Sequence, residues 1–347
     1  MHLPCGVFNQ TYEEDITYVR TKLQWGLLIA LLVLFCILPL VVNYYIVGVM
    51  ISIFTTIIIV IGLNVLTGYT GLISLGHAGF ALVGAYGAAV LGKFFGVPFW
   101  LAIPAGAVMA GLVGIFFGLP ALRMRGFYLA LATLAAQFII TWVVTKIPFI
   151  GCETFQVPLP EAAGIDFGNA VNYYYIVLGV TVLVTYGVKN LSRSRFGRAW
   201  MAIRDNDFAA EVLGINLFSY KLWSFFISCF LAGLGGALFA YYTTSISVEQ
   251  FTLNNSIWYL GYLVVGGMGT MLGPFAGTFL FMGLNEILVF VVGNLAMTFT
   301  GGSTFFVLAR DVIFGLTIVL FIVFEPKGLA HRWGLFRNSY RLFPFSY

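Results

Sequence analysis

Long apolar runs separated by short polar stretches make up most of this 347-residue chain. A helix needs about 20 apolar residues to cross the core of a bilayer, and most runs are close to this length. The pattern therefore predicts an all-α polytopic membrane protein. The predicted spans are Trp25–Val42, Tyr45–Gly62, Leu72–Leu91, Val97–Leu119, Phe127–Thr145, Tyr173–Val188, Leu222–Tyr242, Pro274–Val292 and Phe305–Phe324. A further run, Ile257–Met268, is short for a span, and the sequence leaves open whether it crosses or re-enters the membrane.

The composition excludes a soluble fold, because 61% of the residues are hydrophobic and only 9% are charged. Soluble domains are about 25% charged. The 40 glycines fit helices that pack closely through small residues. The net charge of +4 does not indicate nucleic-acid binding, because the basic residues lie at predicted helix ends. The cysteines form no metal-binding pattern and are expected to be free thiols; they are Cys5, Cys36, Cys152 and Cys229.

The distribution of Lys and Arg predicts the orientation of the chain. If the charged segment 189–221 is cytoplasmic and 257–268 counts as one crossing, the chain has ten membrane segments and both termini inside. Of the 17 Lys and Arg residues, only Lys93, Lys146 and Arg310 then lie outside. The predicted parts are a cytoplasmic tail at 1–24, a membrane domain at 25–324 and a cytoplasmic tail at 325–347. Because residues 1–24 are polar, no cleavable signal peptide is expected.

The segment from Lys189 to Lys221 is the most strongly charged interval of the chain. Within it, Ala199–Leu213 is predicted to be one amphipathic helix with Trp200, Ile203 and Val212 as its apolar positions. Gly214 is placed to end that helix. We expect a water-facing segment with enough structure to dock a partner.

Glycine and polar residues interrupt the apolar pattern at two places. The first is Gly68-Tyr-Thr-Gly71-Leu-Ile-Ser74-Leu-Gly76-His77-Ala-Gly79. The second is Gly269–Gly273, and the glycines at 266, 269, 273 and 277 form a weak echo of the first. The echo is explained equally by an internal repeat of two halves or by chance in a glycine-rich chain. Irregular backbone at membrane depth must face protein or a water-filled cavity. The candidate solute path therefore contains Gly68, Gly71, Ser74, Gly76, His77, Gly266 and Gly269.

A helix beginning near Leu72 would direct free backbone N–H groups into such a cavity and favour an anionic group such as a carboxylate. His77 is the one histidine in a predicted span, and a packing role or a ligand role are both open. Glu286, with Asn285, and Asp311, with Arg310, lie near outer helix ends, which favours structural roles. The neutral Asn64 and Gln137 are expected to join helices by hydrogen bonds.

Sequence motifs for catalysis and nucleotide binding are absent. Ser74 and His77 lie one helical turn apart, but no nucleophile elbow or HExxH accompanies them, so no catalytic or metal-binding residue is predicted. There is also no GxxxxGK[ST] loop to hold ATP phosphates. If transport uses ATP, another subunit must bind and hydrolyse the ATP.

Five segments together resemble the inner-membrane permeases of branched-chain amino acid ABC importers, the LivM-type subunit. They are GLNVLTGYTGLISLGHAGFALVGAYGAAV (62–90), RMRGFYLALATLAAQFI (123–139), SRFGRAWMAIRDNDFAAEVLGIN (194–216), YLGYLVVGGMGTMLGPFAGT (259–278) and FEPKGL (324–329). The resemblance implies a multi-pass protein in the inner membrane of a prokaryote. It also implies a heterodimer with a homologous permease, two ATPase subunits that bind ATP and Mg²⁺, and a soluble substrate-binding protein outside. No cofactor bound by this chain itself and no nucleic-acid partner are implied.

The resemblance further implies that 189–221 is the cytoplasmic loop that couples to the ATPase. The predicted coupling residues are Arg198, Arg204, Asp205, Ala209, Ala210, Glu211 and Gly214. One departure concerns the solute: family members commonly carry Thr-Gly-Gly after the fifth span, where this chain has Ile150–Thr154. Leucine, isoleucine and valine are the expected solutes, and urea or short amides remain alternatives. An ion-coupled secondary transporter is a more distant alternative, since few charged groups lie in the predicted spans.

Overall fold

The computed structural model describes residues 22–122, 126–147, 154–162, 165–166, 168–296, 302–325 and 328–342. The chain is helical almost throughout these ranges. The helices are α1 (Lys22–Val41), α2 (Tyr44–Leu63), a π-helix (Asn64–Tyr69), α3 (His77–Phe95), α4 (Phe99–Ala121), α5 (Phe127–Lys146), α6 (Ala170–Arg193), α7 (Arg195–Asp205), α8 (Asp207–Val212), α9 (Leu217–Thr243), a 3-10 helix (Val248–Phe251), α10 (Leu253–Gly266), α11 (Gly273–Ala296), α12 (Gly302–Phe324) and α13 (Leu329–Leu342).

Four two-residue strands form two antiparallel ribbons outside the helices. β1 (Phe155–Gln156) pairs with β4 (Ser245–Ile246), and β2 (Glu161–Ala162) pairs with β3 (Ile165–Asp166). The first ribbon ties the segment after α5 to the end of α9. Of the stretch Ile150–Thr154, only Thr154 is described; the tail up to residue 21, Arg123, Arg125 and Lys327 also lie outside the described residues.

The all-α prediction is confirmed, and within the described ranges six helices are long and apolar enough to cross a membrane. They are Tyr44–Tyr69, His77–Phe95, Phe99–Ala121, Phe127–Lys146, Ala170–Arg193 and Leu217–Thr243. Shorter apolar helical stretches occur at Trp25–Val41, Gly273–Val289 and Val312–Phe321. The helix at the ambiguous run 257–268, α10, has 14 residues, and at about 1.5 Å per residue it is shorter than the bilayer core. The count of ten segments and the location of the termini stay predictions.

The centre of the fold is α9, which packs against α2, α3 and α4. Glycine makes this close packing possible, because there is no Cβ between the backbones. A Cβ on Gly84 of α3 would lie 2.2 Å from the Gly233 Cα of α9. The buried Ser228 hydroxyl of α9 also donates to the Gly62 carbonyl of α2 at 2.7 Å. The helices on either side of the first interruption, α2 and α3, thus both pack against α9, whereas α10 and α11, on either side of the second, pack against α2.

Asparagine side chains start three of the helices. The Oδ1 atoms of Asn169, Asn206 and Asn216 accept hydrogen bonds from backbone N–H groups in the first turns of α6, α8 and α9. Such caps satisfy donors that have no partner within the helix. Two of these caps lie in the charged segment, where they set the boundaries of the short helices.

Candidate functional site

The first interruption, which we call the first break, comprises the π-helix and the following non-helical chain, 64–76. The helix of α2 continues as wider π-helical turns to Tyr69, and α3 begins only at His77. The predicted helix start near Leu72 is therefore wrong. Gly71 turns the chain with φ +77°. The Leu72 N–H bonds back to the Leu66 carbonyl at 3.1 Å, whereas the Leu75 N–H donates to the Thr133 hydroxyl of α5 at 3.0 Å.

The first turn of α3 has protein partners. The Ala78 N–H donates to Ser256 Oγ at 2.9 Å, and the Gly79 N–H donates to Gln137 Oε1. Gln137 Nε2 in turn donates to the Phe251 carbonyl at 2.8 Å. The expectation of free N–H groups at this helix end is therefore wrong for both residues. Gln137 joins helices as predicted, whereas Ser256 gave no signal in the sequence.

Two polar side chains beside this helix end are fully buried. Ser74 and His77 have 0% exposure. Among the described residues, neither ring nitrogen of His77 nor the Ser74 hydroxyl has a hydrogen-bond partner. The His77 ring instead meets the edge of Phe80, with ring centroids 6.4 Å apart. The structure therefore gives His77 no hydrogen bond of the kind that a packing role between helices would use.

The second interruption, which we call the second break, is the chain between α10 and α11, 267–272. Its position agrees with the predicted interruption at Gly269–Gly273. Gly267 and Gly269 have φ of +115° and +75°, a region that favours glycine. The Thr270 hydroxyl donates to the Gly267 carbonyl at 2.9 Å and accepts from the Gly273 N–H at 3.1 Å, which starts α11.

The two breaks contact each other. Asn64 Oδ1 accepts from the Gly269 N–H, and Asn64 Nδ2 donates to the Thr270 carbonyl, both at 2.9 Å. A Cβ placed on Gly68 would lie 2.6 Å from the Gly269 nitrogen. The sequence pointed to both glycine clusters and to Asn64 as a helix-joining residue, but not to this pairing across more than 200 residues.

The charged segment folds as two short helices, not as the single helix predicted over Ala199–Leu213. α7 ends at Asp205, and Asn206 then caps α8. Trp200 and Ile203 are buried as expected, and the Trp200 indole N–H donates to the Tyr220 carbonyl at 2.9 Å. Val212 does not share their face, because α8 is turned away. Gly214, at φ +82°, follows the end of α8, as predicted.

α8 and the residue that follows it present large apolar side chains to the surface. Phe208, Val212 and Leu213 are 67%, 87% and 78% exposed. Of the predicted coupling residues nearby, Ala209 and Glu211 are exposed and Ala210 is buried. The Lys221 ammonium is 2.7 Å from the Asp207 carboxylate and holds α8 to the start of α9.

Arg204 of α7 joins the charged segment to both breaks. Its Nη1 donates to the Gly68 carbonyl at 2.8 Å. A Cβ on Gly71 would lie 2.9 Å from Arg204 Cγ, and one on Gly269 would lie 2.7 Å from Nη1. Arg204 also pairs with the adjacent Asp205 at 3.3 Å. Arg198, also on α7, is exposed.

The remaining charged candidates lie away from the breaks. Glu286 accepts from the Tyr45 hydroxyl at 2.5 Å in an exposed contact, as a structural role requires. The neighbouring Asn285 Oδ1 has no partner within the part of the chain that is described. The side chains of Arg310 and Asp311 are not described.

Comparisons with known proteins identify the family of this chain. A family described as branched-chain amino acid transport system / permease component matches residues 45–323. The chain is 31% identical to the high-affinity branched-chain amino acid transport system permease protein LivM of Escherichia coli K12, over 91% of this chain and 76% of that protein. The chain belongs to this permease family. The resemblance noted in the sequence is thus confirmed.

More distant relatives differ in what their names say they carry. The permease is 24% identical to a probable branched-chain amino acid transport permease protein LivM of Methanocaldococcus jannaschii, over 66% of this chain and 67% of that protein. It is also 24% identical to the nucleoside ABC transporter permease protein NupC of Lactococcus lactis, over 75% and 86%. No solved structure matches this chain. The permease is a multi-pass transport protein of the inner membrane, and its relatives are ABC transporter permeases, not enzymes.

Proposed function

We propose that this permease is the membrane-spanning subunit of an ATP-driven importer that takes up branched-chain amino acids. The similarity to the Escherichia coli LivM protein supports the solute class. The observation that carries the proposal is the exposed apolar surface of α8 and Leu213, held in place by the buried Trp200 and by the Asp207–Lys221 ion pair.

The ATPase would dock on the exposed surface of α8. We call Phe208, Val212 and Leu213, with the exposed carboxylate of Glu211, the docking surface. Exposed apolar clusters rimmed by polar groups mark interaction sites, because leaving them in water is unfavourable. The anchored α7 gives this surface a fixed position, so a force applied to α8 reaches the membrane helices. Two ATPase subunits would hold ATP and Mg²⁺.

The complex would also contain a homologous permease and a soluble binding protein. A second permease would complete the path between two membrane domains. The binding protein would deliver solute on the side of the β1–β4 ribbon, opposite to the charged helices. The family description, permease component of a transport system, supports the presence of further subunits.

The solute path would run beside the two breaks. Ser74 and His77 support this, because buried polar groups normally have hydrogen-bond partners and these two have none among the described residues. A solute carboxylate that reached the first turn of α3 would have to replace Ser256 or Gln137 as the acceptor. The breaks and their polar neighbours are therefore the part of the path that must rearrange during transport.

Uptake into liposomes tests the proposal. The liposomes would contain this permease, its homologous partner, the ATPases and the binding protein, and labelled leucine, urea and a nucleoside would be compared with and without ATP. We expect ATP-dependent uptake of leucine. ATP-dependent uptake of urea or the nucleoside alone would keep the importer and change the solute. Uptake that is independent of ATP and abolished by an ionophore would instead support an ion-coupled transporter.

A further inference from the structure

Arg204 is the residue through which the charged helices contact both breaks. We propose that Arg204 transmits movement of the docking surface to the first and second breaks and thereby positions them for transport. This inference rests on the proposed function, because it assigns the route by which ATPase movement would reach the solute path.

The contacts of Arg204 fit such a role. Its guanidinium donates to the Gly68 carbonyl at 2.8 Å and lies against Gly269. Its aliphatic part packs on Gly71. A Cβ at any of these three glycines would occupy space that Arg204 or the opposite break now fills. The side chain is 40% exposed, but its guanidinium and its Cγ both lie against backbone of the breaks, so a shift of Arg204 would displace these contacts.

The helix that carries Arg204 is coupled to the docking surface. Only Asn206 separates α7 from α8, and both helices are tied to the start of α9, by the Trp200–Tyr220 hydrogen bond and the Lys221–Asp207 ion pair. Movement of α8 would therefore shift the end of α7, where Arg204 lies. The two breaks would respond together, because Asn64 bonds to Gly269 and Thr270.

A cleft beside Arg204 leaves room for this movement. It has a volume of about 400 Å³ and separates the joint between α7 and α8 from the non-helical part of the first break. Its walls include Ile73, Leu129, Asp207 and Phe218. The cleft leaves space between α7 and the first break, whereas the contact of Arg204 with Gly68 is direct. Arg204 is therefore the path by which small shifts of α7 reach the breaks.

The substitution Arg204→Gln in the reconstituted complex tests this role. Uptake and ATP hydrolysis would be measured on the same preparation to give the amount of solute imported per ATP. We expect this ratio to fall by about ten-fold, a common size of coupling between two sites, while the complex assembles and hydrolyses ATP. Arg204→Lys keeps the charge but not the planar fork, and should give an intermediate ratio.

Arg195→Gln is the matched control. It removes the same charge from the exposed first position of the same helix, and its ratio should equal that of the unchanged protein. A normal ratio in Arg204→Gln would overturn the role of Arg204 and leave the importer intact. Failure of the unchanged complex to transport any solute with ATP would instead overturn the proposed function.

If the Arg204 variants do not assemble, hydrogen exchange on the unchanged complex tests whether movement of the docking surface reaches the two breaks. Binding of a non-hydrolysable ATP analogue should alter exchange of the backbone amides at 68–71 and at 267–270 together. Unaltered exchange at these amides, with altered exchange in α8, would show that movement of the docking surface does not reach the breaks. That result would refute the transmission through Arg204.

Discussion

The Asn64 side chain bonds to the backbone of Gly269 and so joins two interruptions that are 205 residues apart. Its Oδ1 accepts from the Gly269 N–H, and its Nδ2 donates to the Thr270 carbonyl, each at 2.9 Å. The side-chain amide thus pairs with a backbone N–H and a backbone carbonyl, as a peptide group of a neighbouring strand would. Asn64 itself is 0% exposed, so water does not compete for these bonds.

Replacing Asn64 with leucine should therefore destabilise the fold. The change leaves the Gly269 N–H and the Thr270 carbonyl without their present partner, at about 1–2 kcal/mol for each, in the lower part of the range for buried groups because both are only partly buried. We expect the free energy of unfolding, measured by chemical denaturation in detergent, to fall by roughly 2–4 kcal/mol. Asn285→Leu is the control, because Asn285 Oδ1 has no partner in the described chain and its loss should cost much less. Equal losses would contradict the role given to Asn64.

Gly84→Ala should separate α3 from α9. The new Cβ would lie 2.2 Å from the Gly233 backbone, which cannot move aside as a side chain can. The cost should be about 3 kcal/mol or more, at the upper end for overpacked cores. Gly179→Ala in α6 is the control: no neighbouring heavy atom lies within 4 Å, and alanine favours a helix by roughly 0.5–1 kcal/mol. Thermal unfolding of both variants measures the two changes in stability. Equal changes would contradict the close packing of α3 on α9.

His77→Leu should separate stability from transport. Because the ring nitrogens have no partner among the described residues, removing them breaks no protein hydrogen bond and should leave stability unchanged or raise it by about 1–3 kcal/mol. ATP-dependent uptake by the reconstituted complex should nevertheless fall if the solute path runs beside His77, as we propose. Normal uptake would remove His77 from the path. A marked loss of stability would show that the imidazole has a structural partner.

Phe208→Asp should prevent assembly with the ATPase without unfolding the permease. Phe208 is 67% exposed, so the folded chain gains little from its burial. Its proposed role is contact with a partner, which an added carboxylate would disrupt. Co-purification of the ATPase would measure the loss. Leu159→Asp, at a 58% exposed site between β1 and β2, should leave ATPase binding intact. Retained ATPase binding by the Phe208 variant would exclude α8 as the docking surface.

Glu286→Gln should leave uptake unchanged. Its bond with the Tyr45 hydroxyl is exposed, and such contacts contribute about 1 kcal/mol or less. An ion-coupled transporter would need a carboxylate in its membrane domain to bind the coupling ion. Uptake by this variant, measured with and without an ionophore, therefore tests the alternative mechanism. Loss of transport with the fold intact would favour ion coupling over ATP.

The sequence located most helices to within a few residues, because apolar runs and glycine interruptions are local properties of the chain. It also located the second break and the glycine that ends α8, since glycine is the residue that adopts positive φ at lowest cost. The start of α3 was misplaced by five residues. Leu72 is apolar enough for a helix, but its N–H bonds back to the Leu66 carbonyl, and Leu75 bonds to Thr133 of α5. These contacts depend on how distant segments pack.

In the charged segment, too, the sequence predicted the local pattern but not the features that depend on distant contacts. Its amphipathic pattern predicted the buried faces of Trp200 and Ile203, which follow from helical periodicity. The break at Asn206 was not predicted, because asparagine is tolerated inside a helix and becomes a cap only when the chain turns. The turn allows Asp207 to reach Lys221 and leaves Val212 exposed.

The sequence by itself therefore determined the membrane class, most of the helices and the two glycine-rich interruptions, but neither the start of α3 nor the break at Asn206. Only the tertiary structure decided that the two breaks meet at Asn64 and that Arg204 touches both. The physical reason is range: hydrophobic periodicity and glycine geometry act within one or two turns, whereas a hydrogen bond between residues 205 positions apart exists only after α10 and α11 have packed against α2.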